Sequence, residues 1–190
     1  MSTRLLLSLV AVGGVVTAAA VWAPSGTALQ EAQQGPAAAG YTAPVDVDTA
    51  GLPGPQQPVF FRHDIHAGQY QLDCQYCHVN IEVSPKPGIP SMSACAGCHQ
   101  IVGRGNPEVE KVMTAWSENR PIEWDEVHYL SPFVHFPHHR HVVAGLDCAE
   151  CHGDVARMPQ VYQFASLKMG WCLNCHEQRQ VSTDCTMCHY

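Results

Sequence analysis

The sequence predicts a mostly irregular chain with short α-helices and almost no sheet. Its core is expected to come from bound groups, behind one N-terminal transmembrane helix. Three observations predict this. Ten cysteines fall as five pairs, Cys74/Cys77, Cys95/Cys98, Cys148/Cys151, Cys172/Cys175 and Cys185/Cys188, each followed at once by a histidine: His78, His99, His152, His176 and His189. The stretch that opens on Phe61 returns at Phe136. An uncharged run extends from Leu5 to Ala23.

Cys-x-x-Cys-His is the pattern that covalent haem attachment requires. The two thiols bond the vinyl groups of the porphyrin, and the next histidine is then placed to bind the iron from one face. A disulfide framework needs no histidine at a fixed offset. A zinc ribbon uses cysteine pairs in twos, so five pairs would leave one over. With 12 histidines in 190 residues, chance puts one at a given position about 6% of the time, and at all five about once in a million trials. From His63 to Tyr190 there are 128 residues for five haems. So short a chain buries little core of its own, and the porphyrins are expected to take that place.

Thioether formation occurs outside the cytoplasm, so an export signal is expected. The run from Leu5 to Ala23 is nineteen residues long, against about 7–15 for the apolar part of a signal peptide and about 17–25 for a spanning helix. Arg4 precedes it and no positive charge follows until Arg62, which places the body of the chain outside. Cleavage near Thr17-Ala18-Ala19-Ala20 is the alternative. The expected organisation is a membrane anchor or uncleaved signal over 1–23, a Pro/Gly/Ala-rich linker over 24–58 and a five-haem domain over 59–190. That domain divides into a first two-haem module (59–105), a helix and connector (106–135), and a second module with a terminal haem (136–190). The linker carries only the acidic charges Glu31, Asp46 and Asp48 and has no helical or alternating period, as in a tether lying along a partner or in solvent.

The repeat aligns Phe61-x-His63-x-x-His66 with Phe136-x-His138-x-x-His141, and Leu72-Asp73-Cys74 with Leu146-Asp147-Cys148. Each half runs on to a second motif with a methionine three residues before its first cysteine, Met92 and Met169. Histidines three apart on a helical turn share a face at different heights, so the two of each pair are expected to serve two irons. Between the halves one regular helix is predicted. Asn106 caps it, Pro107 opens it, and Glu108 and Glu110 suit its positive end. Val109, Val112, Met113 and Trp116 form its packing stripe, and Asn119 with Pro121 stops it.

The five motif histidines are the proximal ligands. Among the other seven, the repeat nominates His63, His66, His138 and His141 as distal ligands, and His128, alone after an extended segment, as the fifth. His135 and His139 are then surplus, at the surface or against propionates. Met169 is a competing ligand, since a His/Met iron has a higher potential than a bis-His one; the alternative is that it packs on a porphyrin. Ligands enough to close five irons favour electron transfer over substrate chemistry at an open iron. No Ser/His/Asp or nucleotide-binding pattern occurs. The formal charge of −7, with two further propionates per haem, excludes nucleic acid as a natural partner and suits docking to a basic patch.

From about Gly51 to Tyr190 the chain resembles the pentahaem cytochrome c subunit of bacterial alternative complex III. The likeness is carried by the run from Arg62 to His78, by Pro121-Ile122-Glu123-Trp124, by Val127-His128, and by Lys168-Met169-Gly170-Trp171-Cys172. A more general likeness to small multihaem cytochromes of the c7 type covers the two-haem repeat. The resemblance implies a subunit of a membrane quinol oxidase, with its haem domain on the periplasmic side of the cytoplasmic membrane. Its partners would be an iron–sulfur and molybdopterin-enzyme-like subunit, polytopic quinol-binding membrane subunits and a monohaem cytochrome c. It implies electrons passing from quinol to a periplasmic cytochrome or terminal oxidase, and it also supports one His/Met haem at Met169. Two other functions remain open: a membrane-anchored quinol dehydrogenase serving a periplasmic reductase, and a multihaem reductase with one open haem.

Overall fold

The computed structural model describes residues 40–190. The expected anchor over 1–23 and the first part of the expected linker lie outside them. Among the described residues no strand occurs, and no helix is long and apolar enough to cross a membrane. The regular elements are the helices Cys74–Cys77, Met92–His99, Pro107–Ser117, His138–Val143, Ala149–His152 and Met169–Gln178, a π-helix at Asp64–Gln69, and short 3-10 turns at Thr49–Gly51, Val155–Arg157 and Cys185–Met187.

The longest helix forms where the sequence predicts it. The Asn106 side chain accepts from the Glu108 N–H at 2.9 Å, and Pro107 fills the first turn. It ends on Asn119, which adopts φ +51°. The Arg120 N–H then reaches back to the Ala115 carbonyl at 2.9 Å, and the Asn119 N–H to that of Trp116 at 3.1 Å. This is the paired bond pattern of a left-handed helix stop. The packing face differs from the expected stripe. Val112 and Ala115 are buried, whereas Trp116 is 41% exposed. The helix packs on Met92–His99, whose own buried residue is Ala96. Small residues on both sides let the two backbones approach closely and leave no room there for an indole.

The internal repeat is present in three dimensions, and it contains a length change. From His66 to Cys74 is one residue more than from His141 to Cys148. The first copy absorbs the extra residue by winding Asp64–Gln69 as a π-helix, where the second copy has an α-helix at His138–Val143. An inserted residue commonly shows itself in this way. Both copies then close alike. Gln71 (φ +53°) and Gly145 (φ +82°) turn left-handed, and the next residue, Leu72 or Leu146, donates to the carbonyl of His66 or His141 at 3.0 or 3.3 Å. The aspartates that follow cap the attachment helices. Asp73 accepts from the Gln75 N–H, and Asp147 from the Ala149 N–H, both at 2.7 Å.

The apolar interior is small. Seven apolar side chains are buried among the described residues, and four are alanines: Ala43, Ala96, Ala115 and Ala165. A polar node sits beside the first histidine pair. Asp64 is fully buried and accepts from Arg62 Nε at 2.7 Å and from Arg62 Nη2, while the Tyr41 hydroxyl donates to its other oxygen at 3.3 Å. The π-helix carrying Asp64 packs on the turn Val155–Arg157. At Gly68 a methyl group would collide with the Ala156 carbonyl oxygen and the Tyr41 ring.

The described part of the expected linker lies along this domain rather than free of it. Its contacts run through Tyr41, Pro44 (whose carbonyl accepts from Arg62 at 3.0 Å), and Pro53 and Gly54 (whose carbonyls accept from the buried Gln160 amide at 3.0 Å). Low sequence complexity concealed this because the contacts are made mostly by backbone carbonyls. Replacing Asp64 by Ala leaves the Arg62 guanidinium buried and unpaired. We expect Asp64→Ala to cost about 3–5 kcal/mol, read as a lowered denaturant midpoint for the haem-loaded protein.

Candidate haem-binding sites

All ten cysteines are free thiols. Among the described residues no group of three or more His, Cys, Asp or Glu side chains could hold a metal ion by itself. The histidines are instead arranged as ring pairs. The centroids of His66 and His99 are 5.9 Å apart, those of His141 and His176 6.1 Å, and those of His138 and His152 6.3 Å. Two imidazoles holding one metal between them by bonds of about 2 Å have their centres about 6 Å apart. Each pair joins a motif histidine to one nominated by the repeat.

Most of these rings are held by the same device. Nδ1 of His78 faces the Gly88 carbonyl at 3.3 Å, His99 that of Val102 at 3.0 Å, His176 that of Ser182 at 2.7 Å and His189 that of Phe133 at 2.8 Å. Among the distal candidates, His66 faces the Arg62 carbonyl at 2.8 Å, His141 that of Pro137 at 3.1 Å, and His138 that of Pro85 at 3.0 Å. A carbonyl oxygen only accepts, so Nδ1 carries the proton and donates. The neutral ring then keeps its lone pair on Nε2, ready for a metal. Phe61 and Phe136 set the ring planes in the two copies. Phe61 stacks on His66 at 4.5 Å and meets His63 edge-on at 4.7 Å. Phe136 does the same to His141 at 4.3 Å and His138 at 4.8 Å.

The electrostatics favour uncharged rings. Burial, with repulsion from neighbouring histidines, pushes His63 and His152 down to about 4. Burial also lowers His66, His128 and His138. A neutral imidazole is the metal-binding form. His63 lies within electrostatic reach of His78, and its Nδ1 is buried without a hydrogen-bond partner.

Three residues differ from expectation. His128 places Nε2 3.2 Å from Nδ1 of His152, with ring centres 4.4 Å apart. It therefore lies beside a motif histidine, at the nitrogen that the other rings bond to a carbonyl, rather than across an ion from it. His139, expected to be surplus at the surface, occupies the position of Asp64 in the repeat, and its Nδ1 is buried without a partner. Met169 is 61% exposed at the first residue of its helix. His135 is exposed and stacks on Tyr190 at 4.4 Å.

The motifs themselves are of two kinds. Cys74, Cys148 and Cys185 each follow an aspartate that caps the turn; Asp184 accepts from the Thr186 N–H at 2.8 Å. Cys95 and Cys172 instead lie inside longer helices that open on Met92 and Met169. The sequence shows Asp before Cys in three of five motifs, but the carbonyl partners at Pro85, Gly88, Phe133 and Ser182 carry no side-chain signal. Apolar side chains left exposed cluster around the motifs, among them Tyr76, Val79, Ile101, Val102, Val143 and Tyr190. Free thiol pairs, metal-ready rings and exposed apolar flanks together fit covalently bound haem.

Comparison with known proteins agrees. Residues 36–128 match the class III cytochrome c family, and residues 134–190 match cytochrome c7 and related cytochromes c. The chain is a multihaem cytochrome c of this c7/class III kind, and it carries covalently bound haem c. It is similar to the multiheme cytochrome c subunit of menaquinone reductase from Nitratidesulfovibrio vulgaris, at 26% identity over 161 residues, which cover 70% of this chain and 77% of that protein.

The Asp cap gives a test. Asp147→Ala removes one hydrogen bond from the first turn of an attachment helix, at a cost of about 1 kcal/mol. The expected result is a larger fraction of chains lacking one haem, read by intact-protein mass spectrometry.

Proposed function

We propose that this protein is the electron-transfer subunit of a membrane quinone-linked complex and carries five haem c groups. The observation that carries the reading is the set of three histidine pairs with centres 5.9, 6.1 and 6.3 Å apart, with Nδ1 of His66, His99, His138, His141 and His176 bonded to carbonyls. Such pairs close an iron on both faces. A bound haem iron takes up and releases one electron without needing an open coordination position. The protein's part is to hold the rings neutral and oriented, and to exclude a substrate from the iron. On this reading the chain is not an enzyme by itself.

The ligands follow residue by residue. His99 pairs with His66, His152 with His138 and His176 with His141. His63 serves the iron of His78, the motif histidine nearest to it in electrostatic terms. Met169 and the remaining histidines are the candidates opposite His189.

The complex we propose is of the alternative complex III type. Residues 1–23 anchor the chain, and the haem domain lies on the periplasmic side. Its partners are an iron–sulfur and molybdopterin-like subunit, quinol-binding membrane subunits and a monohaem cytochrome c. Electrons pass from quinol to a periplasmic cytochrome or terminal oxidase. A second reading is favoured by the name of the relative, a menaquinone reductase subunit: the same wire run in reverse, from a periplasmic donor to membrane quinone.

The test is to purify the complex from membranes and ask which side reduces the haems. Rapid haem reduction by added menaquinol or ubiquinol supports quinol oxidation. Reduction only by a soluble reduced cytochrome, followed by quinone reduction, supports the second reading. Recovery of the chain alone, with no quinone-dependent reaction, overturns both.

The ligand assignments have their own readout. His66→Ala and His141→Ala should each convert about one haem in five to a high-spin form that binds carbon monoxide, seen in the reduced spectrum. Retention of five low-spin haems in either variant would exclude that residue as a ligand.

A further inference from the structure

Resting on the five-haem reading, we infer that the attachment sites form one unbranched line in the order Cys95–Cys98, Cys74–Cys77, Cys148–Cys151, Cys172–Cys175, Cys185–Cys188. The first two sites are thus exchanged relative to their order in the chain. The two ends, and so the two ports for electrons, are the second motif and the last.

Four links define the line. Cys77 lies within electrostatic reach of Cys95 and of Cys98. The thiols of Cys74 and Cys148 share a hydrogen bond. Cys151 lies within reach of both Cys172 and Cys175, and Cys172 within reach of Cys188.

Contacts away from the thiols support each join beyond the first. At the central join, one short loop clamps a histidine of each half: Gly88 holds His78, and Pro85 holds His138. His78 also lies close enough to His138 and His152 to repel them electrostatically. At the next join, Glu150, inside the third motif, forms an ion pair with Arg179 just after the fourth. At the far end the segment before the second histidine pair lies along the last motif, with the His135 N–H donating to the Cys188 carbonyl at 2.8 Å. The middle of the line is therefore the boundary between the two repeats, and each half runs outward from it.

The order has a consequence for charge. An electron on one haem raises the energy of a second on its neighbour, and the effect falls with distance and with screening. Each end haem has one neighbour, and each inner haem has two.

The test uses the full haem-loaded chain, its Cys95→Ala/Cys98→Ala and Cys185→Ala/Cys188→Ala variants, and Cys148→Ala/Cys151→Ala. Mass spectrometry first counts haems. Redox titration followed by NMR of the haem methyl signals then shows which midpoints move. Removing either end site should shift one remaining haem, that of Cys74–Cys77 in the first case and that of Cys172–Cys175 in the second. Removing the Cys148–Cys151 site should shift two.

Shifts of two or more haems on removing an end site, or of the wrong single haem, overturn the order. Fewer than five haems in the unmodified chain overturns the five-haem reading instead. If a variant does not load its remaining haems, iron–iron distances from pulsed electron paramagnetic resonance on the unmodified chain decide. Any iron with three near neighbours excludes a line.

Discussion

The bond from a histidine Nδ1–H to a backbone carbonyl is the constraint on which the rest depends. It recurs at His66, His78, His99, His138, His141, His176 and His189. Each bond does two things at once. It fixes the tautomer, so that Nε2 keeps the lone pair, and it fixes the ring in space. The loops therefore do not have to be regular to be accurate. They have to deliver one carbonyl to one ring, which explains how a chain with little helix and a small apolar interior can hold several histidines in metal-ready positions.

The repeat shows how that constraint tolerates change. Insertion of one residue between His66 and Cys74 would rotate an ordinary helix by about 100° per residue and carry the histidines away from their partners. The π-helix takes up the residue locally. The Phe61 contacts upstream and the Leu72-Asp73-Cys74 closure downstream match those of the second copy. The Arg62–Asp64 node belongs to the first copy alone, where the second has Pro137 and His139. The copies thus share what orients histidines and differ in what fills the space behind them.

The ordering of sites along a line gives the repeat a further meaning. Two modules that fold alike meet at their first motifs, through Cys74 and Cys148, and extend in opposite directions. The loop Pro85–Gly88 serves histidines on both sides of that junction, so neither module is complete without the other. The terminal motif extends the second half by one site and makes the two ends chemically different.

The sequence by itself determined the attachment chemistry, the repeat, the helix after Asn106 and the nomination of His66, His138 and His141, because each depends on residue type at a fixed local spacing. It did not reveal the part of His128 beside His152, the buried Nδ1 of His139, or the packing of residues 40–58 on the domain. Trp116 misled for a related reason: its helical spacing was right, but the facing helix offers Ala96. Which carbonyl clamps which ring, and which cysteine pair lies beside which, were decided only by tertiary structure. Backbone carbonyls are the same at every residue, and contacts between segments fifty or more residues apart leave no period in the chain.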